Sequence, residues 1–229
     1  MSRLASETKL IMEINPNSPI AEAYRTLKLN IQFSEWDRKL QVIAVTSSIP
    51  GEGKTTTISN LAVCFAKEGK KVLIMDADLR KASLHRIFSM ANKVGLSNVL
   101  VNQYHASDVI RTTGVDNLSI LTSGSIPPNP AELLTSPNFM EMIDELKNSF
   151  DIILIDTPPI LTVSDGLIVT TLCDGVVFVI QAGKAKRHLI KKSKEKLDYA
   201  KAPLLGVVLN NKKLNKSESQ YYDYELKEE

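Results

Sequence analysis

Two cysteines, Cys64 and Cys173, are all that this chain of 229 residues contains. A disulfide framework is therefore excluded as the basis of the fold. Both thiols sit in apolar runs and are expected to be buried and reduced, as in a cytoplasmic protein. Long apolar runs are missing too. No stretch approaches the roughly 18 apolar residues of a membrane span. Met1–Asn17 mix Arg, Glu and Lys with single apolar positions rather than the apolar core of a signal peptide. The expected location is the cytoplasm, with any work at the inner face of the cell membrane depending on a partner that recruits the chain there. An excess of one charge is also lacking. The net charge of +2 gives no reason to expect nucleic acid as a partner. There is no internal repeat and no long linker. What remains, 43% hydrophobic and 24% charged residues, suits one sizeable α/β domain.

Patterning fills in that domain. Ser18 followed by Pro19 reads as an N-cap with proline at the first helical position. Ile20, Tyr24, Leu27 and Ile31 then recur at helical spacing, which predicts a helix over 18–33. Strands are predicted at 41–46, 71–75, 118–121, 151–155, 175–180 and 204–209. Helices are predicted at 54–67, 138–148 and 186–199. Strands that are apolar at nearly every position and alternate with helices imply a mostly parallel sheet covered by helices on both faces. Residues 1–211 form this domain, and the polar residues 212–229 read as a flexible tail.

The run Ser48-Ile49-Pro50-Gly51-Glu52-Gly53-Lys54-Thr55-Thr56 lies between a predicted strand and a predicted helix, the context a phosphate-binding loop requires. Gly51 and Gly53 let the backbone turn its N–H groups inward toward phosphate oxygens, and the helix N-terminus adds its positive end. Ser48, Gly51, Glu52, Gly53, Lys54, Thr55 and Thr56 are thus candidate ATP contacts. Lys54 is placed to reach the β- and γ-phosphates, and the Thr55 hydroxyl to ligate Mg2+. Ser48 stands where the usual first glycine would be.

A parallel sheet presents its chemistry at the carboxyl ends of its strands. Two such ends are acidic. One runs into Asp76-Ala77-Asp78, where residues two apart share a face, so both carboxylates are expected to point at one phosphate. The other runs into Asp156-Thr157-Pro158-Pro159, and a carboxylate there is a second magnesium anchor.

In these residues the chain resembles the bacterial tyrosine kinases of the capsule and exopolysaccharide co-polymerase group, the BY-kinases. The resemblance spans nearly the whole length. It includes Glu22-Ala23-Tyr24-Arg25-Thr26-Leu27, the phosphate loop, Asp76–Lys81, Asn129-Pro130-Ala131-Glu132-Leu133-Leu134, Asp156–Pro159 and a tyrosine-bearing tail. It implies a P-loop NTPase fold and an ATP- and magnesium-dependent kinase that regulates capsular or exopolysaccharide synthesis. Asp76 would activate the attacking tyrosine hydroxyl, Asp78 and Asp156 would hold magnesium, and Asn210 would contact adenine. A separate transmembrane adaptor would activate the kinase, as is typical of Gram-positive bacteria. Other partners implied are protein-tyrosine substrates, a phosphotyrosine phosphatase and further copies of the chain in a ring, an octamer being one candidate size. Two departures stand out. Ala82 replaces a frequent proline. Lys28 occupies the last place of a Glu-x-x-Arg-x-x-Arg motif, keeping the charge but not the bidentate fork.

Three of the six tyrosines, Tyr221, Tyr222 and Tyr224, fall in the last nine residues among Glu218, Asp223 and Glu225. Aromatics normally belong in cores. A cluster in an acidic tail reads either as a segment docked on the body or as a set of phosphoacceptors. Glu22, Arg25 and Lys28 are expected to lie opposite the apolar face of their helix, as surface charges or as a contact between subunits. Lys184–Lys196 hold seven basic residues and one acid, read as a solvated helix face or a surface for an anionic partner.

Other functions compete. A positioning ATPase of the septum or chromosome-partition type uses a second lysine inside the loop, where this chain has Ile49. It also leaves the tyrosines without a role. A non-catalytic scaffold leaves Lys54, Thr55, Asp76, Asp78 and Asp156 unexplained. A guanine reader needs Asn-Lys-x-Asp, and Asn211-Lys212-Lys213-Leu214 lacks the aspartate.

Overall fold

The computed structural model describes residues 10–34 and 39–212. The tail tyrosines Tyr221, Tyr222 and Tyr224 lie outside the described residues. In chain order the elements are α1 (Ile11–Ile14), α2 (Pro19–Phe33), β1 (Val42–Ser47), α3 (Lys54–Lys67), β2 (Val72–Asp76), α4 (Leu84–Ile87), α5 (Leu96–Leu100), α6 (Ala106–Val109), β3 (Arg111–Thr112), β4 (Leu118–Leu121), α7 (Pro130–Leu134), α8 (Pro137–Leu146), β5 (Ile152–Asp156), α9 (Asp165–Thr171), β6 (Gly175–Gln181), α10 (Arg187–Tyr199) and β7 (Leu204–Asn210). The sheet order is β3-β4-β2-β5-β1-β6-β7. Every pairing is parallel except that of β3 with β4.

The burial pattern explains the layers. Side chains alternate across a strand. Ile43 and Val45 of β1 therefore join Val72, Ile74, Leu154 and the α3 residues Ile58–Ala66 in one core. Val42 and Ala44 join Leu73, Met75, Ile153, Phe139 and Val169 in the other. With both faces covered, β1, β2 and β5 are buried throughout. A smaller cluster of Ile160, Val176, Phe178 and Leu197 seats α10. No helix among the described residues is long and apolar enough to cross a membrane. Cys64 and Cys173 are buried and free, as expected.

The expected α2 is present, with Ser18 Oγ accepting from the Ala21 N–H at 3.1 Å and Pro19 in the first turn. The expected division of its faces is not. Ile20 is 60% exposed, whereas Lys28 is only 7% exposed. Lys28 Nζ pairs with Glu68, just past the end of α3. Its long apolar stem packs inward while its ammonium finds the carboxylate. Lys28 is thus an intrachain strut in this structure and not part of an outward charged face. Glu22 and Arg25 do lie outside, paired with each other at 2.7 Å, and Arg25 also donates to the Pro16 carbonyl.

Candidate active site

β1, β2 and β5 all deliver their carboxyl ends to one place. Register explains the crowding there: Val45 and Asp76 both pair with Asp156 across the sheet. Beyond β1 the chain turns through the phosphate loop, where Gly51 has φ +75° and Gly53 φ +95°. Only glycine enters this region without strain. At Gly53, the N-cap of α3, a Cβ would also collide with the Asn210 side chain.

The loop borders a cavity of about 690 Å³, lined also by Lys54, Thr55, Thr56, Asp78, Arg80, Lys81, Ser83, Arg86 and Pro158–Pro159. Four cations against one carboxylate make it a receptor for an anion. Thr55 Oγ1 donates to Asp156 Oδ2 at 2.6 Å and lies 2.8 Å from Ser83 Oγ. The other Asp156 oxygen, Oδ1, is buried without a hydrogen-bond partner. Burial first, and then the neighbouring Asp76, push the Asp156 carboxyl well above its ordinary range, while Lys54 pulls the other way. Asp76 is raised too, again chiefly by burial. Crowded carboxyls that resist ionisation are what a divalent cation would relieve.

That orphaned Oδ1 is the test of fit for magnesium, and the residues pass it. A hydroxyl and a carboxylate are the hard oxygen donors the ion takes. Among the described residues no group of three or more His, Cys, Asp or Glu forms a complete cage. This suits magnesium, which keeps several waters and takes the rest of its shell from phosphates.

Several expected contacts land elsewhere. Asp76 and Asp78 do not face one phosphate together. β2 ends at Asp76, the strand alternation stops there, and only Asp78 lines the cavity. Asp76 is fully buried. Its Oδ2 accepts the N–H groups of Ser83 and Leu84 at 2.9 and 3.0 Å, and its Oδ1 that of Asp78 at 3.2 Å. It thereby folds residues 78–84 over the site. Glu52 turns its side chain away from the cavity. Its carboxylate accepts from the Ile49 N–H at 2.9 Å and the Gln181 N–H at 3.3 Å. Only its backbone is left for phosphate. Ser48 is buried, with a hydroxyl that has no partner. Asn210 Nδ2 donates to the Glu52 carbonyl at 3.0 Å, bracing the loop from behind. It also lines a separate groove with Tyr24, Leu27 and Thr57.

Sequence patterns missed other parts. Arg80 binds Asp165 of α9 through two hydrogen bonds of 2.7 and 3.2 Å. Asp165 is fully buried. Lys184, in the turn after β6, donates to the Gly51 carbonyl at 2.8 Å. Ser83 and Arg86 come from the segment that follows Asp78. Arg80 falls within the Asp76–Lys81 run, but its partner Asp165, like the Gly51 partner of Lys184, lies far away in the chain, so no spacing marks either contact.

Comparison with known proteins agrees with this geometry. A family model described as an AAA domain matches residues 40–199. The chain is 45% identical over 217 residues to the tyrosine-protein kinase YwqD of Bacillus subtilis, covering 94% of this chain and 92% of that protein. It belongs to the bacterial tyrosine-protein kinases. The kinase domain of the Escherichia coli tyrosine kinase ETK superposes with a TM-score of 0.87 at 30% identity, over 91% of this chain and 82% of that one. The septum site-determining protein MinD of Pyrococcus horikoshii, complexed with Mg-ADP, reaches 0.64 at 25% identity, over 80% and 76%. This bacterial tyrosine kinase thus shares its P-loop frame with a positioning ATPase but matches the kinases more closely. The half-buried Ile49 sits where the positioning ATPases are expected to carry their second lysine.

Proposed function

We propose that this kinase binds ATP with magnesium in the cavity above the phosphate loop. In this reading it transfers the γ-phosphate to tyrosines of the tail of a neighbouring copy and to other proteins, in the regulation of capsular or exopolysaccharide synthesis. The observation that carries the reading is the meeting of Lys54, the Thr55 hydroxyl and the orphaned Asp156 Oδ1 beside an otherwise cationic cavity. Thr55, Asp156 and Asp78 would hold the metal, whose bound charge offsets that of the phosphates. Loop N–H groups and Lys54 orient the triphosphate and stabilise charge on the transferring group. Arg80, Lys81 and Arg86 add to that field. Asp76 is the proposed base. Its raised affinity for a proton suits the task, and it would meet a tyrosine hydroxyl once residues 78–84 shift. In the transfer the tyrosine oxygen bonds to the γ-phosphorus as the β–γ bridge breaks. ADP leaves, and the phenolic proton passes to the carboxylate. Adenine is assigned to the apolar groove beside Asn210.

About ten residues separate Asn211 from the tyrosines, a reach of roughly 35 Å at about 3.3–3.6 Å per residue. That length supports transfer to a neighbour. Each phosphate adds about −1.5 to −2 charges, so a modified tail is repelled by the phosphates of the bound nucleotide and leaves, opening the assembly. Recruitment to the membrane by a transmembrane adaptor and reversal by a phosphotyrosine phosphatase complete the proposed cycle. The test mixes an active protein carrying Tyr221→Phe, Tyr222→Phe and Tyr224→Phe with a full-length Lys54→Met protein. Labelling of the inactive partner's tail is expected. No labelling there, with normal self-labelling of the parent, would mean that each tail serves its own site.

A further inference from the structure

The charges of this chain are unevenly spread. Residues 184–201 hold eight Lys or Arg and two acids, a net +6 in a chain of net +2, so all the other residues together carry −4. Every one of those eight cations is exposed. None is needed to seat α10, which buries only Ser193 and Leu197. Both acids are already used within the helix, Asp198 by Lys194 at 2.5 Å and Glu195 by Lys191 at 3.8 Å. Lys184 spends its ammonium on the Gly51 carbonyl. Lys186, Arg187, Lys192, Lys196 and Lys201 make no ion pair among the described residues. Solvated helix faces ordinarily interleave the two signs. This one is mostly basic, and apart from Lys184 the catalytic site makes no use of it.

The chain leaves the domain beside this surface. β7 stays paired with β6 as far as Asn210 opposite Gln181, and the Ala182 N–H donates to the Asn210 carbonyl at 2.9 Å. The residues after 210 therefore start next to the turn that carries Lys184, Lys186 and Arg187. At about 3.3–3.6 Å per extended residue, Tyr221 to Tyr224 lie within roughly 30–40 Å of Lys212, while α10 at 1.5 Å per residue is only about 20 Å long. The whole helix is within reach.

We infer that α10 and the turn before it are the docking surface for this chain's own phosphorylated tail, residues 213–229. The inference rests on the tail phosphorylation proposed above and adds where the modified tail goes. Unmodified, Tyr221–Glu229 hold four acids and one lysine. Three phosphates bring that segment to a charge of about −8. They offer oxygens that Lys and Arg bind in charge-assisted hydrogen bonds. α10 attracts the product tail and holds it until the phosphates are removed.

Full-length Lys54→Met protein, whose own tail stays unmodified, is titrated with a fluorescent peptide of residues 213–229. The peptide is made with phosphotyrosine at positions 221, 222 and 224, and again without phosphate. The phosphopeptide should bind at least about tenfold more tightly, with an affinity that falls steeply as salt rises. Arg187→Glu, Lys192→Glu and Lys196→Glu together should remove that advantage, and the corresponding Gln changes should remove part of it. Circular dichroism confirms that the variants fold. Equal binding of the two peptides, or full binding after charge reversal in a folded protein, overturns the inference. Vesicles rich in phosphatidylserine form a second arm. If charge reversal costs vesicle binding but spares the phosphopeptide, the surface serves lipid and the inference fails. The peptide carries its phosphates from synthesis, so its docking is read whether or not the protein labels itself. Absent self-labelling with intact docking counts against the proposed transfer alone.

Discussion

The phosphate loop and residues 78–84 border the same cavity and are held by different physics. The loop is local. Two glycines at positive φ, a helix start and a lysine occupy four consecutive residues, and neighbours along the chain set most of its shape. The segment from 78 to 84 is held at a distance. It is folded over by three N–H bonds to the buried Asp76 and pinned by Arg80 to Asp165, 85 positions onward. The loop is therefore shaped mainly from within, and the segment by partners outside it. In the proposed transfer the tyrosine enters beside the nucleotide once that segment shifts.

The contrast breaks most sharply at Lys54. Lys54→Met should lower phosphate transfer by about 10²–10³-fold or more with the fold unchanged, since the lysine acts on developing charge. Radiolabel transfer alongside circular dichroism reads this out. Retention of most of the activity would mean that the loop does not carry the chemistry.

Next come the carboxylates. Asp78→Ala should weaken binding of magnesium-ADP by about tenfold or more, through loss of a metal-shell oxygen. Asp76→Asn keeps an oxygen for the Ser83 and Leu84 N–H groups and gives up the longer bond from the Asp78 N–H, so it should leave affinity nearer normal and cripple transfer. Calorimetry beside a transfer assay separates the two. Equal losses of affinity would show that Asp76 serves the metal and would remove it as base.

The pin on the segment should have a smaller effect, and on stability. Arg80→Ala strands the buried Asp165. The cost is about 1–3 kcal/mol, below that of a fully buried pair because the Arg80 side chain is 43% exposed and water reaches it. Replacing both partners, as Arg80→Met with Asp165→Leu, should recover most of it. Chemical denaturation of the two variants and the parent is the measurement. A single change that costs nothing would mean that the segment is held by Asp76 alone.

The smallest effect is expected at α2, where the sequence pattern and the structure disagree about Lys28. Lys28→Met removes a partly buried pair with Glu68 and should cost about 1 kcal/mol without altering particle size. Glu22→Ala with Arg25→Ala, on the outer face, should shrink the particle seen by light scattering. Dispersal by Lys28→Met alone, at unchanged stability, would return that lysine to the subunit contact.

Legibility in the sequence followed the same divide. The 54–67 helix and the 118–121 strand are found where periodicity puts them, and the other long elements differ by a residue or two. Apolar runs and caps are local signals. The helices α4–α7 span a turn or so each and offer no period to detect. The two-residue edge strand β3 is equally silent. At the site, Lys54, Thr55, Asp78 and Asp156 were readable because a loop and strand ends place them. The inward turn of Glu52, the burial of Asp76 and the positions of Lys28, Arg80 and Lys184 were not. Each is decided by a partner that only the folded chain brings near.

If this cavity moves phosphate from ATP to tyrosine, purified protein incubated with magnesium and ATP will carry phosphotyrosine that mass spectrometry can map. Phosphate is expected on Tyr221, Tyr222 or Tyr224 in the parent and on none of them in Lys54→Met. ATP hydrolysis with no phosphotyrosine on this chain or on an added protein would contradict it.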